Sequence, residues 1–243
     1  MHNNVSVIPA SLAVVAALSL VACGGLQKAP GGGNSNAANN DTGYQPPADY
    51  PQGPYGVQTG ATIADIGFTG VANPDQFLAT NGSTSINTAL TSVHLSDFRH
   101  KVPVLVITAA AVWCEYCNME EPSVVSLYNS LNGIDPAHNQ FPAPTKLGVV
   151  EALINNNNVN QPADSSDLKN WAGKYHVTFD LGLDPNGEVL NPYYQQSALP
   201  MHMLITTADM KIQDEFVGQD DTGFASAINA LLQCATLTDA SSC

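Results

Sequence analysis

A pair of cysteines between a predicted strand and a predicted helix is the feature that most restricts the fold of this chain. Residues 104–108 form a continuous apolar run of strand length, which is typical of a central strand covered on both faces. The motif Trp-Cys-Glu-Tyr-Cys follows at residues 113–117, and a helix is predicted from about residue 115 to 131. The two cysteines share one helical face, close enough for a disulfide. The first lies where unpaired N–H groups and the helix dipole stabilise a thiolate.

The same C-x-x-C spacing occurs in zinc sites, which normally need a second pair of ligands. Cys234 and Cys243 have eight residues between them and do not supply a pair of suitable spacing. A structural zinc site is therefore disfavoured, and neither a metal ligand nor a cofactor is predicted.

The pattern after about residue 61 predicts one domain. Strands are predicted at residues 146–153, 177–183, 201–206 and 211–217. Helices are predicted after the capping residues 164–166, at 222–233 and, as a short helix, at 190–197. Residues 63–71 and 88–98 are expected to form an added hairpin or edge extension. This order of elements indicates an α/β sandwich with a mixed sheet.

The charge of the chain excludes one class of partner. There are 7 Lys and Arg residues against 21 Asp and Glu residues, a net charge of −14. The basic surface that nucleic acids require is therefore missing, and no nucleic-acid partner is expected. Charged residues make up only 12% of the chain, and neutral polar residues take their place, as is common in exported proteins.

The N-terminal residues predict export and a lipid anchor. Residues 5–21 are small or apolar and uncharged, so residues 1–22 are predicted to be a signal peptide and not a transmembrane helix. The sequence Leu-Val-Ala-Cys at 20–23 resembles the bacterial lipobox, in which the thiol of the cysteine, here Cys23, is lipidated. An ordinary secretory signal with an unmodified Cys23 is the alternative. Gly24 follows in place of Asp, which by analogy favours a periplasmic location on the outer membrane.

A low-complexity segment separates this signal from the domain. Residues 24–60 are rich in Gly, Asn, Ala, Pro and Gln and contain one Leu and one Val. Such a composition cannot build a core. We therefore expect a flexible tether at residues 23–60 and a single globular domain at residues 61–243.

The cysteine motif resembles that of the thioredoxin superfamily. The family pattern W-C-x-x-C-x-x-x-x-P is met by Trp113, Cys114, Cys117 and Pro122. A second family landmark is a cis-proline that opens the strand facing the disulfide, and Leu199-Pro200 match it. The segments at 95–99 and 171–175 look like those of the redoxin branch, which includes extracytoplasmic reductases and thioredoxin-like lipoproteins. The resemblance covers about residues 61–233.

The resemblance implies a thioredoxin-like fold: a central mixed β-sheet flanked by helices, with an N-terminal β extension. It also implies an enzyme, a thiol–disulfide oxidoreductase that acts on exported proteins and exchanges electrons with an unidentified redox partner. Cys114 would attack a substrate disulfide, and Cys117 would resolve the mixed disulfide. Leu199 and Pro200 would shape the substrate groove.

The resemblance also assigns roles to the remaining motif residues and cysteines. Trp113 would pack beside the disulfide, and Tyr116 would lie at the substrate groove, where Pro or His is commoner. Of the three pairings open to the four cysteines other than Cys23, the motif selects the one with Cys114 bonded to Cys117. Cys234 and Cys243 would then form a stabilising disulfide.

Two positions depart from the family pattern. Thioredoxin carries a buried aspartate six residues before the first cysteine, where this chain has Thr108, which cannot act as that base. Glu115, between the cysteines, is a candidate for proton transfer, and a solvated residue at the helix start is the equal alternative. Its charge opposes thiolate formation on Cys114, so a reducing or moderate couple is expected.

Binding modules are the competing class of function. Met201, His202 and Met203 are soft or borderline ligands near the thiols and would suit Cu(I). Alternation along a strand sends His202 away from the two methionines, however, which favours core methionines and a surface or lining histidine. A redox-inert thioredoxin-fold module is the other alternative. Peroxidase activity is disfavoured, because Ala111 stands where that chemistry needs Thr or Ser.

Overall fold

The computed structural model describes residues 44–73, 90–194 and 198–237. Within these ranges the strands are β1 (Gly67–Val71), β2 (Thr91–His94), β3 (Val104–Ala110), β4 (Leu147–Leu153), β5 (Asp180–Leu183), β6 (Met201–Thr206) and β7 (Lys211–Val217). The α-helices are α1 (Glu115–Asn132), α2 (Ser165–Tyr175) and α3 (Asp221–Leu237). Short 3-10 helices occupy Leu95–Phe98, Pro136–His138, Pro185–Gly187 and Asn191–Tyr193.

The strands form one mixed sheet in the order β2-β1-β5-β4-β3-β6-β7. Strands β3, β4 and β5 are parallel, and β6 is antiparallel to both β3 and β7. Every residue of β3 and β4 is buried, so both faces of the central sheet are covered. The predicted α/β architecture with a mixed sheet is confirmed. None of the helices within the described ranges is long and apolar enough to span a bilayer.

The predicted N-terminal β extension is also present. Strand β1 pairs antiparallel with β2 on one side and with β5 on the other, so the pair extends one edge of the sheet. Gly70 allows the close approach of β1 to β5, because a Cβ at this position would lie 1.9 Å from the carbonyl oxygen of Leu181.

The predicted strand at 177–183 begins only at Asp180. The reason lies at the end of α2, where His176 adopts the left-handed conformation with φ of 54° and the N–H of Val177 donates to the carbonyl of Ala172. Because the N–H of Val177 is bonded to the helix, it cannot pair with a neighbouring strand, and β5 starts three residues later. The predicted short helix at 190–197 is reduced to one 3-10 turn at Asn191–Tyr193, and residues 195–197 lie outside the described ranges.

The prediction of a flexible tether up to residue 60, with the domain starting at 61, is wrong for residues 44–60. Tyr50 is only 2% exposed, and its hydroxyl donates to the carbonyl of Ile63 at 3.1 Å. The hydroxyl of Tyr44 donates to Asp65 at 2.7 Å, and its ring stacks on His94 with centroids 3.6 Å apart. These tyrosines supply the apolar surface that composition alone appeared to lack. Residues 23–43 lie outside the described ranges.

The segment also continues along the edge of the sheet at β7. The N–H of Ile63 donates to the carbonyl of Met210, directly before β7, at 2.8 Å. Strand β7 begins opposite Thr206, and Thr206 pairs with Val104, the first residue of β3. The N-terminal segment is therefore held at the end of the sheet where β3 begins.

We predict that Tyr50→Ala lowers the free energy of unfolding by about 3 kcal/mol, because it leaves a cavity in the core. Tyr55→Ala is the matched control, since Tyr55 belongs to the same segment but is 37% exposed. We expect a loss below about 1 kcal/mol for this control. Urea unfolding of both variants measures the difference, and equal, small effects would mean that the segment contributes nothing to the fold.

Candidate active site

The two motif cysteines form a disulfide at the N-terminus of α1. Cys114 and Cys117 are bonded, with their Cα atoms 5.3 Å apart, which is the predicted pairing. Cys114 is the N-cap of α1, and its sulfur accepts the N–H of Cys117 at 3.2 Å. Both cysteines are buried. A thiolate formed on Cys114 would therefore receive a backbone hydrogen bond and the favourable end of the helix dipole.

The loop between β3 and α1 is held in place by one side chain. The amide nitrogen of Asn118 donates to the carbonyls of Val112 at 3.0 Å and Cys114 at 2.6 Å. Its amide oxygen accepts from Lys174 at 2.7 Å and also from the hydroxyl of Tyr175. Asn118 therefore ties the redox motif to the end of α2.

The predicted cis-proline is present directly before β6. The Leu199–Pro200 peptide bond is cis, and β6 starts at the next residue, Met201. Met201 pairs with Ala109 near the end of β3, which brings Pro200 to the level of the loop that carries the cysteines. The carbonyl of Pro200 accepts the N–H of Gly218 at 2.8 Å, so this oxygen is already engaged within the domain.

The other predicted site residues surround the disulfide at different depths. Trp113 is half-buried and packs against the core. Tyr116 is exposed, as is Met119 on the next turn of α1. Glu115 is exposed on the first turn and is not part of the buried polar groups behind the disulfide. Cys23 and Cys243 lie outside the described residues, so lipidation and the pairing of Cys243 with Cys234 stay predictions.

A row of buried polar side chains crosses the sheet behind the disulfide. Thr108 on β3 is in register with Glu151 on β4 and with His202 on β6, so all three side chains lie on one face. Nδ1 of His202 is 2.9 Å from the hydroxyl oxygen of Thr108, and its Nε2 is 2.8 Å from Oε2 of Glu120 on α1. The imidazole also stacks on Phe224 of α3. His202 is therefore buried and fully engaged.

The expectation of a surface or lining histidine at His202 is wrong for this reason. The alternative of a copper site at Met201, His202 and Met203 is also disfavoured. Both ring nitrogens of His202 lie within hydrogen-bond distance of other side chains, Thr108 and Glu120. The two methionines face away from His202 along the strand. Among the described residues, no group of three or more His, Cys, Asp or Glu side chains has the arrangement of a metal site.

Glu121 of α1 is a further buried carboxyl group near this row. Glu151, also buried, accepts a hydrogen bond from Nε1 of Trp171 at its Oε2 atom, at 3.1 Å. Burial raises the pKa of Glu151 to about 7. Burial and the neighbouring charge of Glu151 raise the pKa of Glu121 well above its ordinary value.

Sequence reasoning did not identify these buried carboxyl groups, although two signals were present. Glu120 and Glu121 follow Cys117 by three and four residues, which places them on the same inward face of α1. Glu151 interrupts an otherwise apolar strand. Acidic residues at positions that the pattern assigns to the core are seldom buried without a partner.

The comparisons with known proteins give the fold. No protein-family model matches this chain, and no curated protein matches it significantly. A candidate protein disulfide isomerase from Bacteroides thetaiotaomicron, solved in solution, is 19% identical with a TM-score of 0.50, over 72% of this chain and 88% of that one. A secreted thiol-disulfide isomerase from Corynebacterium glutamicum is 14% identical with a TM-score of 0.50, over 71% and 86%. These likenesses show the fold, and the chain has the thioredoxin-like fold that the resemblance of its cysteine motif implies.

The raised pKa of Glu151 predicts how stability depends on pH. A carboxyl whose pKa is higher in the folded than in the unfolded state stabilises the fold fully below the unfolded pKa, and this contribution is lost as pH rises through the folded pKa. Since the pKa of Glu151 rises from its ordinary value of 4.5 to about 7, the loss of stability is about 3 kcal/mol. The oxidised Glu151→Gln variant should therefore gain stability relative to the wild type as pH rises from 5 to 8.

Urea unfolding at several pH values measures this difference. Glu115→Gln is the matched control, because Glu115 is exposed and its replacement should give a difference that does not change with pH in the oxidised protein. A constant difference for Glu151→Gln as well would show that Glu151 ionises in the folded protein as it does in the unfolded chain.

Proposed function

We propose that this protein is an extracytoplasmic thiol–disulfide oxidoreductase of exported proteins, tethered to the outer membrane through a lipid on Cys23 and facing the periplasm. The observation that carries the activity is the disulfide between Cys114 and Cys117 at the N-terminus of α1. The sequence of residues 1–23 supports the location and the anchor.

The geometry of the motif supports a different role for each cysteine. In the reduced protein the thiolate of Cys114 attacks a substrate disulfide, forms a mixed disulfide and releases one substrate sulfur as a thiol. Cys117 then attacks the sulfur of Cys114, which re-forms the internal disulfide and releases the second substrate thiol. Two electrons pass from the protein to the substrate. The reverse sequence of steps oxidises a substrate dithiol.

The assignment of Cys114 as the nucleophile rests on its position. It is the N-cap residue, whose sulfur accepts a backbone N–H, whereas Cys117 lies inside the first turn on the inward face of the helix. Because both cysteines are buried in the oxidised form, a substrate must displace neighbouring side chains to reach the disulfide. The exposed ring of Tyr116 and the exposed side chain of Met119 provide apolar surface that a substrate can contact near the disulfide.

The direct test uses cysteine variants. Cys117→Ser should accumulate a mixed disulfide between Cys114 and glutathione, because the resolving thiol is absent, and Cys114→Ser should abolish exchange. The double variant Cys234→Ser, Cys243→Ser is the control and should keep the exchange activity. Mass spectrometry and an insulin reduction assay read out both effects. Wild-type protein without a reversible couple in glutathione buffers would point instead to a redox-inert binding module.

The exposed position of Glu115 predicts a small effect on the couple. Glu115→Gln removes a negative charge next to Cys114 and should make the protein easier to reduce, by about twofold to fivefold in the equilibrium constant. Because solvent screens this charge, the effect should shrink in 1 M salt. Equilibration with glutathione buffers at low and high salt measures the equilibrium constant for reduction. If Glu115→Gln leaves this constant unchanged at low salt, Glu115 does not influence the reduction potential.

A further inference from the structure

We propose that Lys174, held in place by Asn118, stabilises the thiolate that forms on Cys114 when the disulfide is reduced. The inference rests on the proposed function, because it concerns the reduction of the same cysteines. Lys174 and Asn118 act through Cys114 and do not take part in the exchange themselves, so both are positioning residues.

Asn118 connects Lys174 to the loop that carries the motif. This motif loop, residues 111–114, joins β3 to α1. The amide nitrogen of Asn118 donates to the carbonyl of Cys114 at 2.6 Å and to that of Val112 at 3.0 Å. Its amide oxygen accepts from the ammonium group of Lys174 at 2.7 Å. The ammonium group is therefore separated from the backbone of Cys114 by one side-chain amide and two hydrogen bonds.

The partners of Asn118 fix the orientation of its amide. A backbone carbonyl only accepts hydrogen bonds and an ammonium group only donates them. The amide oxygen therefore faces Lys174, and the amide nitrogen faces Cys114. The positive end of the amide dipole points at Cys114, and the ammonium group polarises the amide further in this direction. Both effects favour a negative charge on Cys114.

Lys174 is held at this position by its neighbour Tyr175. The Nζ atom of Lys174 lies 4.7 Å from the centroid of the Tyr175 ring, and the hydroxyl of Tyr175 donates to the same amide oxygen of Asn118. The ring of Tyr175 packs in turn on buried Trp171, with centroids 4.8 Å apart. Exposed lysines usually contribute little because their long side chains are mobile and their charge is screened. These contacts reduce the first of these losses.

Other cations lie far from the motif. Among the described residues, Lys174 is the only Lys or Arg that is hydrogen-bonded to Asn118 or to the motif loop. Lys169 lies on the same helix but does not share this contact. The other four described Lys and Arg residues lie at the end of the sheet where β3 begins: Arg99, Lys101, Lys146 and Lys211.

The helix that carries the cysteines supplies only negative charge. Helix α1 contains no Lys, Arg or His. Glu115, next to Cys114, is exposed on the first turn, and the buried Glu120 lies 2.8 Å from Nε2 of His202. Positive charge for a thiolate at this helix N-terminus must therefore come from another element. The contact between Asn118 and Lys174 provides it from α2.

The balance of the reduction shows where this charge matters. Dithiothreitol gives two electrons to the disulfide, the Cys114–Cys117 bond breaks, and the reductant becomes its own cyclic disulfide. Of the two protons that the reductant loses, one goes to Cys117 as a thiol and the other goes to solvent when Cys114 remains a thiolate. One negative charge therefore appears at Cys114, and a nearby cation favours the reduced state.

The test replaces the charge and keeps the length of the side chain. Lys174→Met should lower the equilibrium constant for reduction by dithiothreitol at pH 8 by about twofold to fivefold, the size measured for exposed ion pairs. The pH at which iodoacetamide half-maximally alkylates Cys114 in the reduced protein should rise, and the difference in the equilibrium constant should shrink in 1 M salt. Lys174→Arg keeps the charge and should stay close to the wild type.

Two further comparisons separate this contact from a general effect of charge. Lys169→Met removes the same charge from the same helix without touching Asn118, and it should leave the equilibrium constant unchanged. In an Asn118→Ala background, Lys174→Met should have little further effect, because Lys174 is no longer held beside the motif loop.

Each contrary result has a distinct meaning. Equal constants for the wild type and Lys174→Met, or equal losses in Lys174→Met and Lys174→Arg, would overturn the role of the charge. An equal loss in Lys169→Met would overturn the contact as its cause, and an undiminished loss in the Asn118→Ala background would overturn the role of Asn118. All four results would leave the oxidoreductase standing. Failure of the wild type to form any reversible couple with dithiothreitol would instead overturn the proposed function itself.

Discussion

The packing of α1 on the centre of the sheet through polar side chains is the interaction on which the site depends. Helices normally cover a sheet with apolar residues, yet α1 hydrogen-bonds Glu120 to His202 of the sheet and buries Glu121 as well. Strand register makes this contact possible, because Thr108 pairs with residues of both neighbouring strands at one level. The same helix carries the disulfide on its first turn.

Sequence reasoning recovered the parts of the fold that depend on local pattern. The buried strand β3, the helix that starts at Glu115 and the edge extension β1–β2 each follow from short-range signals. The cis peptide bond at Pro200 came from the family resemblance. The Glu120–His202 contact joins residues of α1 and β6, two elements that only tertiary packing brings together. The burial of Tyr50 was missed for a related reason. One buried aromatic ring can stabilise the packing of a segment on the core even when most of the neighbouring residues are small and polar.

Burying carboxyl groups such as those of Glu121 and Glu151 costs free energy, and the fold tolerates this cost only where the rest of the sheet is well packed. Every residue of β3 and β4 is buried, which provides that support on both sides of Thr108. Departures from core rules of this kind concentrate where a protein carries out its chemistry. The motif and the interior behind it are therefore best regarded as one functional unit.

The N-terminal segment is fixed where β3 begins, and the disulfide lies beyond the point where β3 ends, about 20 Å away along the strand. A lipid on Cys23 that drew the chain taut would turn the first of these ends toward the bilayer. The redox motif would then project into the aqueous compartment at the far pole of the domain. Partners in solution or in an opposing membrane could then reach the motif more easily than partners embedded in the same lipid leaflet.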